Sequence, residues 1–151
     1  MSEGIRTLLV AAVAFGAGFS YQSIRIAAIP VSSPERLVAE LRLAQIAALL
    51  LTLSAGAYLG FGASNDARPG VGLDIALTAG FFVVAAYTLT CDPRQALTVL
   101  ALGFAGHAII DIGHRPGLLP DGLAPRWYTV GCASYDVFMG ALCYFPLLRR
   151  R

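Results

Sequence analysis

His107, Asp111 and His114 fall at positions i, i+4 and i+7 of the run GFAGHAIIDIGH. On an α-helix that spacing puts two imidazoles and a carboxylate on one narrow stripe. The surrounding residues are apolar enough to cross a membrane, and an acid at membrane depth costs about 2.5–3.5 kcal/mol on insertion scales. Ionisable groups are kept there when they pair, line a wet cavity, bind a metal or do chemistry. Two imidazoles flanking a carboxylate suit a divalent metal such as zinc or iron, completed by a carboxylate from another helix. The stripe extends ~10 Å along the helix axis, however, so one ion does not readily take both His107 and His114. The alternative chemistry is proton transfer on a lipophilic substrate. His107 and Asp111 would then form the acid–base pair, with Asp136 or Tyr135 orienting them. A third class is non-catalytic: an accessory subunit whose polar cluster holds helices together, or a pigment or haem binder using His107 as its ligand.

Composition sets the environment of these residues. Of 151 residues, 57% are hydrophobic and 13% charged. The charged share is half the roughly 25% of soluble domains. This is the composition of an integral membrane protein with the lipid bilayer as solvent. A net charge of +2 is too small for a nucleic-acid surface. The three cysteines, Cys91, Cys132 and Cys143, are an odd number without a CxxC pair, which excludes a disulfide framework or a zinc finger. No phosphate loop or serine or cysteine nucleophile motif is present.

A membrane-crossing helix needs about 20 mainly apolar residues. Five segments meet that requirement, at about 5–29, 37–61, 71–90, 93–113 and 127–148. The expected fold is therefore all-α, a single transmembrane domain of five helices over residues 1–151. Ser33-Pro34-Glu35 and Asp92-Pro93 are start signals for the second and fourth spans. The first span lacks a clean cleavage site and reads as a retained helix.

Arginine placement orients the bundle. Arg6, Arg68, Arg115 and Arg126 share one side, and Arg25, Arg36, Arg42, Arg94, Arg149, Arg150 and Arg151 the other. The second side is expected to be cytoplasmic in a bacterial inner membrane, with the N-terminus outside. The fourth span then runs outward. His114 lies at the outer surface, Asp111 roughly 5 Å below it and His107 roughly 10 Å below it. Asp136 on the fifth span lies roughly 13 Å below the outer interface. Asp74 in the first turn of the third span, Tyr58 in the last turn of the second, and Cys132 and Tyr135 on the fifth share that half. Trp127 marks the outer interface.

These residues predict one polar pocket between the third, fourth and fifth spans, open to the outer side. His107, Asp111 and Asp136 form its reacting centre, with Asp74, His114, Tyr58, Cys132, Tyr135 and Trp127 as ligand-binding residues. The metal candidates are His107, Asp111, His114 and Asp136. Gly56 and Gly60, Gly103 and Gly106, and Gly131 with Ala133 thin the helices near the pocket, for close packing or for a flat apolar ligand. A second copy or another membrane protein stays open as a partner. At the inner end Arg25, Glu40, Arg42 and Gln45 form a second polar group, expected to snorkel and pair near the helix ends.

Residues 97–146 resemble a group of small bacterial integral membrane proteins. In that group a penultimate helix ends in H-x-x-x-D-x-x-H, followed by a short loop, a W-Y pair, and a Cys and an Asp on the last helix. Here those are His107, Asp111, His114, Trp127, Tyr128, Cys132 and Asp136. The resemblance implies that these residues act as one unit, and it implies no particular activity.

Overall fold

The computed structural model describes residues 3–64, 71–114, 118–119 and 123–148. These form five α-helices in chain order: α1 (Glu3–Ala27), α2 (Pro34–Ser64), α3 (Val71–Thr88), α4 (Pro93–Gly113) and α5 (Arg126–Leu148). There is no strand among the described residues. Arg68, Arg115, Arg149, Arg150 and Arg151, which enter the arginine count above, lie outside the described residues.

All five helices are long and apolar enough to cross a membrane. Their outer faces carry many exposed apolar side chains, among them Leu49, Val83, Leu102 and Ile109, each about 70% exposed. In lipid that exposure costs nothing. α2, with 31 residues, is ~46 Å long, more than the ~30 Å that a hydrocarbon layer requires.

Local sequence accounts for the ends. Asp92 caps α4: its Oδ1 accepts from the N–H groups of Arg94 and Gln95 at 3.1 Å each, and Pro93 needs no partner for its missing N–H. α1 stops at Ala27, two residues before the expected end. Ala28 and Ile29 turn back to the carbonyls of Arg25 and Ile26, and the Ile29 carbonyl is taken by Arg36.

α4 packs along α5 and also touches α2 and α3. α1 packs mainly on α5, and α3 and α5 do not touch. The core between these helices is apolar, built by Leu43, Ala47, Leu51, Leu97, Leu100, Phe104 and Met139. It separates two polar clusters, one at each end of the bundle.

The α4–α5 seam depends on Gly140. A Cβ built there would stand 3.1 Å from the Ala101 carbonyl oxygen and 3.5 Å from Phe104 Cβ, and backbone cannot swing aside. A Cβ at Gly103 would come closer still, 2.9 Å, but to Leu51 Cδ2, the far end of a flexible side chain. Gly140→Ala is therefore expected to lower stability by about 1–3 kcal/mol. Gly103→Ala should change it by less, since the gain in helix propensity of up to about 1 kcal/mol offsets a rotamer shift. Thermal unfolding of both variants in the same detergent checks the order.

At the end holding the start of α2, Arg36 and Glu40 are 2% and 1% exposed and bonded at 2.7 Å between Nε and Oε1. Arg36 also donates to the carbonyls of Ile29 and Pro146, both at 2.6 Å. Arg94 reaches Glu40 Oε2 at 3.4 Å. Pro146 lies inside α5, and its missing N–H leaves the Leu142 carbonyl without a helical donor. Ser23 of α1 fills that place at 2.7 Å. The expected snorkelling and pairing differs here at Glu40. Arg25, Arg42 and Gln45 are exposed, whereas Glu40 is buried and its main partner is Arg36, four residues earlier on the same helix.

Candidate functional site

The opposite end of the bundle gathers the ionisable residues around α4. His107 and Asp111 stand one turn apart on its buried face, both 1% exposed. α5 brings Asp136, 0% exposed, against them from one side. His107 Nδ1 donates to Asp136 Oδ2 at 2.6 Å, while Asp111 Oδ2 lies 3.5 Å from the same nitrogen. From α2, the Tyr58 hydroxyl donates to Asp111 Oδ1 at 2.5 Å. Cys132, one turn before Asp136, directs its thiol to Asp136 Oδ2 at 3.6 Å and lies 3.8 Å from the Tyr128 hydroxyl.

Two buried carboxylates thus flank one imidazole. Asp136 Oδ1 and Asp111 Oδ2 are buried and have no hydrogen-bond donor. A buried carboxylate oxygen without a donor forfeits a charge-assisted hydrogen bond, a loss of about 1–3 kcal/mol or more.

His114 caps α4 and forms a second pair. Its Nδ1 faces the Ile110 carbonyl at 2.8 Å, which only accepts, so Nδ1 carries a proton. Its Nε2 faces Asp74 Oδ1 at 2.7 Å, from the first turn of α3. Asp74 therefore serves as the partner of His114 as well as an N-terminal helix carboxylate. His114, expected at the outer surface, is nearly buried: its side chain is 5% exposed.

Tyr58 joins the two pairs. Its ring stacks on His114 at 5.0 Å between centroids, its hydroxyl bonds Asp111, and its edge meets His107 at 6.1 Å. Phe81 of α3 closes on the His107 ring at 4.8 Å. Between these groups is a cavity of about 10 Å³, walled by Tyr58, Asp74, His107 and His114 with Leu77, Phe81 and Ile110 at its apolar side. That is the lower limit for one water molecule or one polar atom. A flat macrocycle does not fit it: pockets for drug-sized ligands run to about 300–1,000 Å³.

With Nδ1 bonded to Asp136, the remaining nitrogen of His107, Nε2, has no bonded partner among the described residues, and the residue forms a wall of this cavity. A carboxylate that fixes Nδ1–H leaves Nε2 as the proton acceptor, the arrangement that makes an imidazole a general base.

The expected pocket between the third, fourth and fifth spans is not found as such. The cavity lies between α2, α3 and α4, and a separate cleft of about 110 Å³ between α4 and α5 is lined by Asp111, Thr129 and Ser134 among others. Of the sequence-expected residues, His107, Asp111, Asp136, Tyr58 and Cys132 come together, with Asp74 and His114 beside them. Trp127 does not join them: it is 44% exposed and touches the Tyr128 ring. Tyr135 also stays outside the network. Its ring packs on α1, 3.5 Å from where a Cβ at Gly16 would stand, and its buried hydroxyl has no partner. Gly131 has open space beside it rather than a close neighbour. Tyr128, the second residue of the W-Y pair and not among the expected site residues, contacts Cys132 and the Ser54 carbonyl, 3.4 Å from its hydroxyl. Its place one turn before Cys132 was the available signal. No family model, no curated protein and no solved structure matches this chain.

Proposed function

We propose that this protein is a multi-pass membrane enzyme that moves a proton on a lipophilic small molecule, with His107 as the base. The observation that carries the reading is the Asp136–His107 pair: Nδ1 is committed to Asp136 at 2.6 Å, and Nε2 is left unbonded on a residue that walls the cavity. The cavity holds only about one polar atom. It suits a single carbonyl or hydroxyl oxygen near His114 and Tyr58, while the rest of the substrate stays among Leu77, Phe81, Ile110 and the lipid. Asp111, held by Tyr58, supports the imidazolium that forms when His107 takes the proton. His107, Asp111 and Asp136 are the groups of the reaction. Tyr58, Asp74 and His114 bind.

The test is hydrogen exchange at carbon. Purified protein in lipid nanodiscs and deuterated buffer, given membrane-soluble enolisable ketones, is expected to speed deuterium incorporation beside the carbonyl, read by mass spectrometry. His107→Ala abolishes the acceleration while helix content is retained. Equal exchange in wild type and variant removes the reading.

We place the protein in a bacterial inner membrane with the N-terminus outside and the C-terminus cytoplasmic, from the bias of seven arginines against four. The catalytic end of the bundle then faces outward. An alkaline phosphatase fused to the C-terminus should be inactive; an active fusion reverses the orientation.

A further inference from the structure

Around the proton-transfer pair lies a set of potential metal-ligand atoms. One donor atom each from His107, Asp111, Cys132 and Asp136 lies within 4.8 Å of the others. The hydrogen bonds divide these donors. Asp111 spends Oδ1 on Tyr58 and leaves Oδ2 without a donor. Asp136 spends Oδ2 on His107 and Cys132 and leaves Oδ1 without a donor. Both residues are at least nine-tenths buried. These two buried oxygens are the ones the hydrogen bonds leave over: Asp136 Oδ1 has no donor, and Asp111 Oδ2 has only His107 Nδ1 nearby, at 3.5 Å.

We propose that Asp111, Asp136 and Cys132 bind a divalent cation of the zinc class, leaving its fourth position open. Tetrahedral zinc takes Asp oxygen at about 2.0–2.2 Å and Cys sulfur at about 2.3 Å, which puts neighbouring donors roughly 3.5 Å apart. The thiol of Cys132 gives up its proton on ligation, as metal-bound cysteine does. The ligating carboxylates keep their outer partners, Tyr58 on Asp111 and His107 on Asp136, which is how metal-bound carboxylates are held in orientation. The cleft between α4 and α5, about 110 Å³ and lined by Asp111, Thr129 and Ser134, gives the ion a polar route to Asp111. The dication offsets the two carboxylates that His107 alone cannot balance.

Asp111 and Asp136 serve both readings, whereas Cys132 belongs to the metal site and His107 Nε2 to proton transfer, so Cys132→Ser and His107→Ala let either fail alone. Full-length protein in detergent, purified with zinc present, is expected to hold about one zinc per chain by elemental analysis. After stripping, titration with cobalt(II) should give visible d–d bands and a thiolate-to-cobalt charge-transfer band. Cys132→Ser removes the charge-transfer band and keeps the helical circular dichroism. Asp111→Asn with Asp136→Asn weakens cobalt binding by at least about 10–100-fold, the cost of losing even an outer partner of a ligand. A wild type that takes up neither metal overturns the proposal. A charge-transfer band that survives Cys132→Ser does the same. If the double variant does not fold, the Cys132→Ser spectrum alone decides.

Discussion

Arg36→Ala is expected to destabilise the bundle by about 3–5 kcal/mol, the cost of removing one partner of a buried ion pair. Glu40 is 1% exposed and would keep only Arg94, which is 49% exposed and 3.4 Å away. The Ile29 and Pro146 carbonyls would lose their guanidinium donor as well. Those carbonyls belong to the segment after α1 and to the end of α5, so the loss reaches three parts of the chain at once. Arg36→Lys should recover little, since one ammonium cannot reproduce a planar fork aimed at a carboxylate and two carbonyls. Arg36→Met with Glu40→Leu should recover most of the loss, because no bare charge stays buried. Unfolding in mixed detergent micelles measures all three. A single-variant loss below about 1 kcal/mol would mean that the pair behaves as a surface salt bridge.

On the proposed proton-transfer reading, Asp136→Asn is expected to have its large effect on rate, with stability unchanged or raised. The amide cannot support an imidazolium as a carboxylate does. Its NH₂ can also donate to Nδ1, which moves the ring proton to Nε2 and removes the base from the cavity. Deuterium exchange on the ketone panel should fall by about 10²–10⁴-fold. Stability should not fall with it, since the substitution removes one of two carboxylates crowded around His107 in a buried site. A cluster that only holds α4 to α5 behaves in the opposite way, with lower stability and no catalytic change. Measuring exchange and unfolding on the same variant separates the two roles.

Periodicity and composition alone determined the five helices, because in lipid every backbone polar group must be satisfied within its own segment. The start signals Ser33-Pro34 and Asp92-Pro93 stand where α2 and α4 begin, although hydropathy alone put the second span's start at about 37. The i, i+4 stripe was legible for the same reason: His107 and Asp111 share a face whatever surrounds it. Shared depth brought Asp136, Tyr58 and Cys132 into the right end of the bundle. Depth carries no azimuth, however. Which helices touch is set by side-chain packing across the seams, as at Gly140 and Phe104, and that packing separates α3 from α5 and turns Trp127 toward the outside. The partner of each acid was likewise a tertiary outcome. Asp136 goes to His107, Asp111 to Tyr58 and Asp74 to His114, because a buried polar group takes the donor that the packed helices bring within 3 Å. The same packing leaves Asp111 Oδ2 and Asp136 Oδ1 without donors, the feature that turns a polar stripe into a candidate centre.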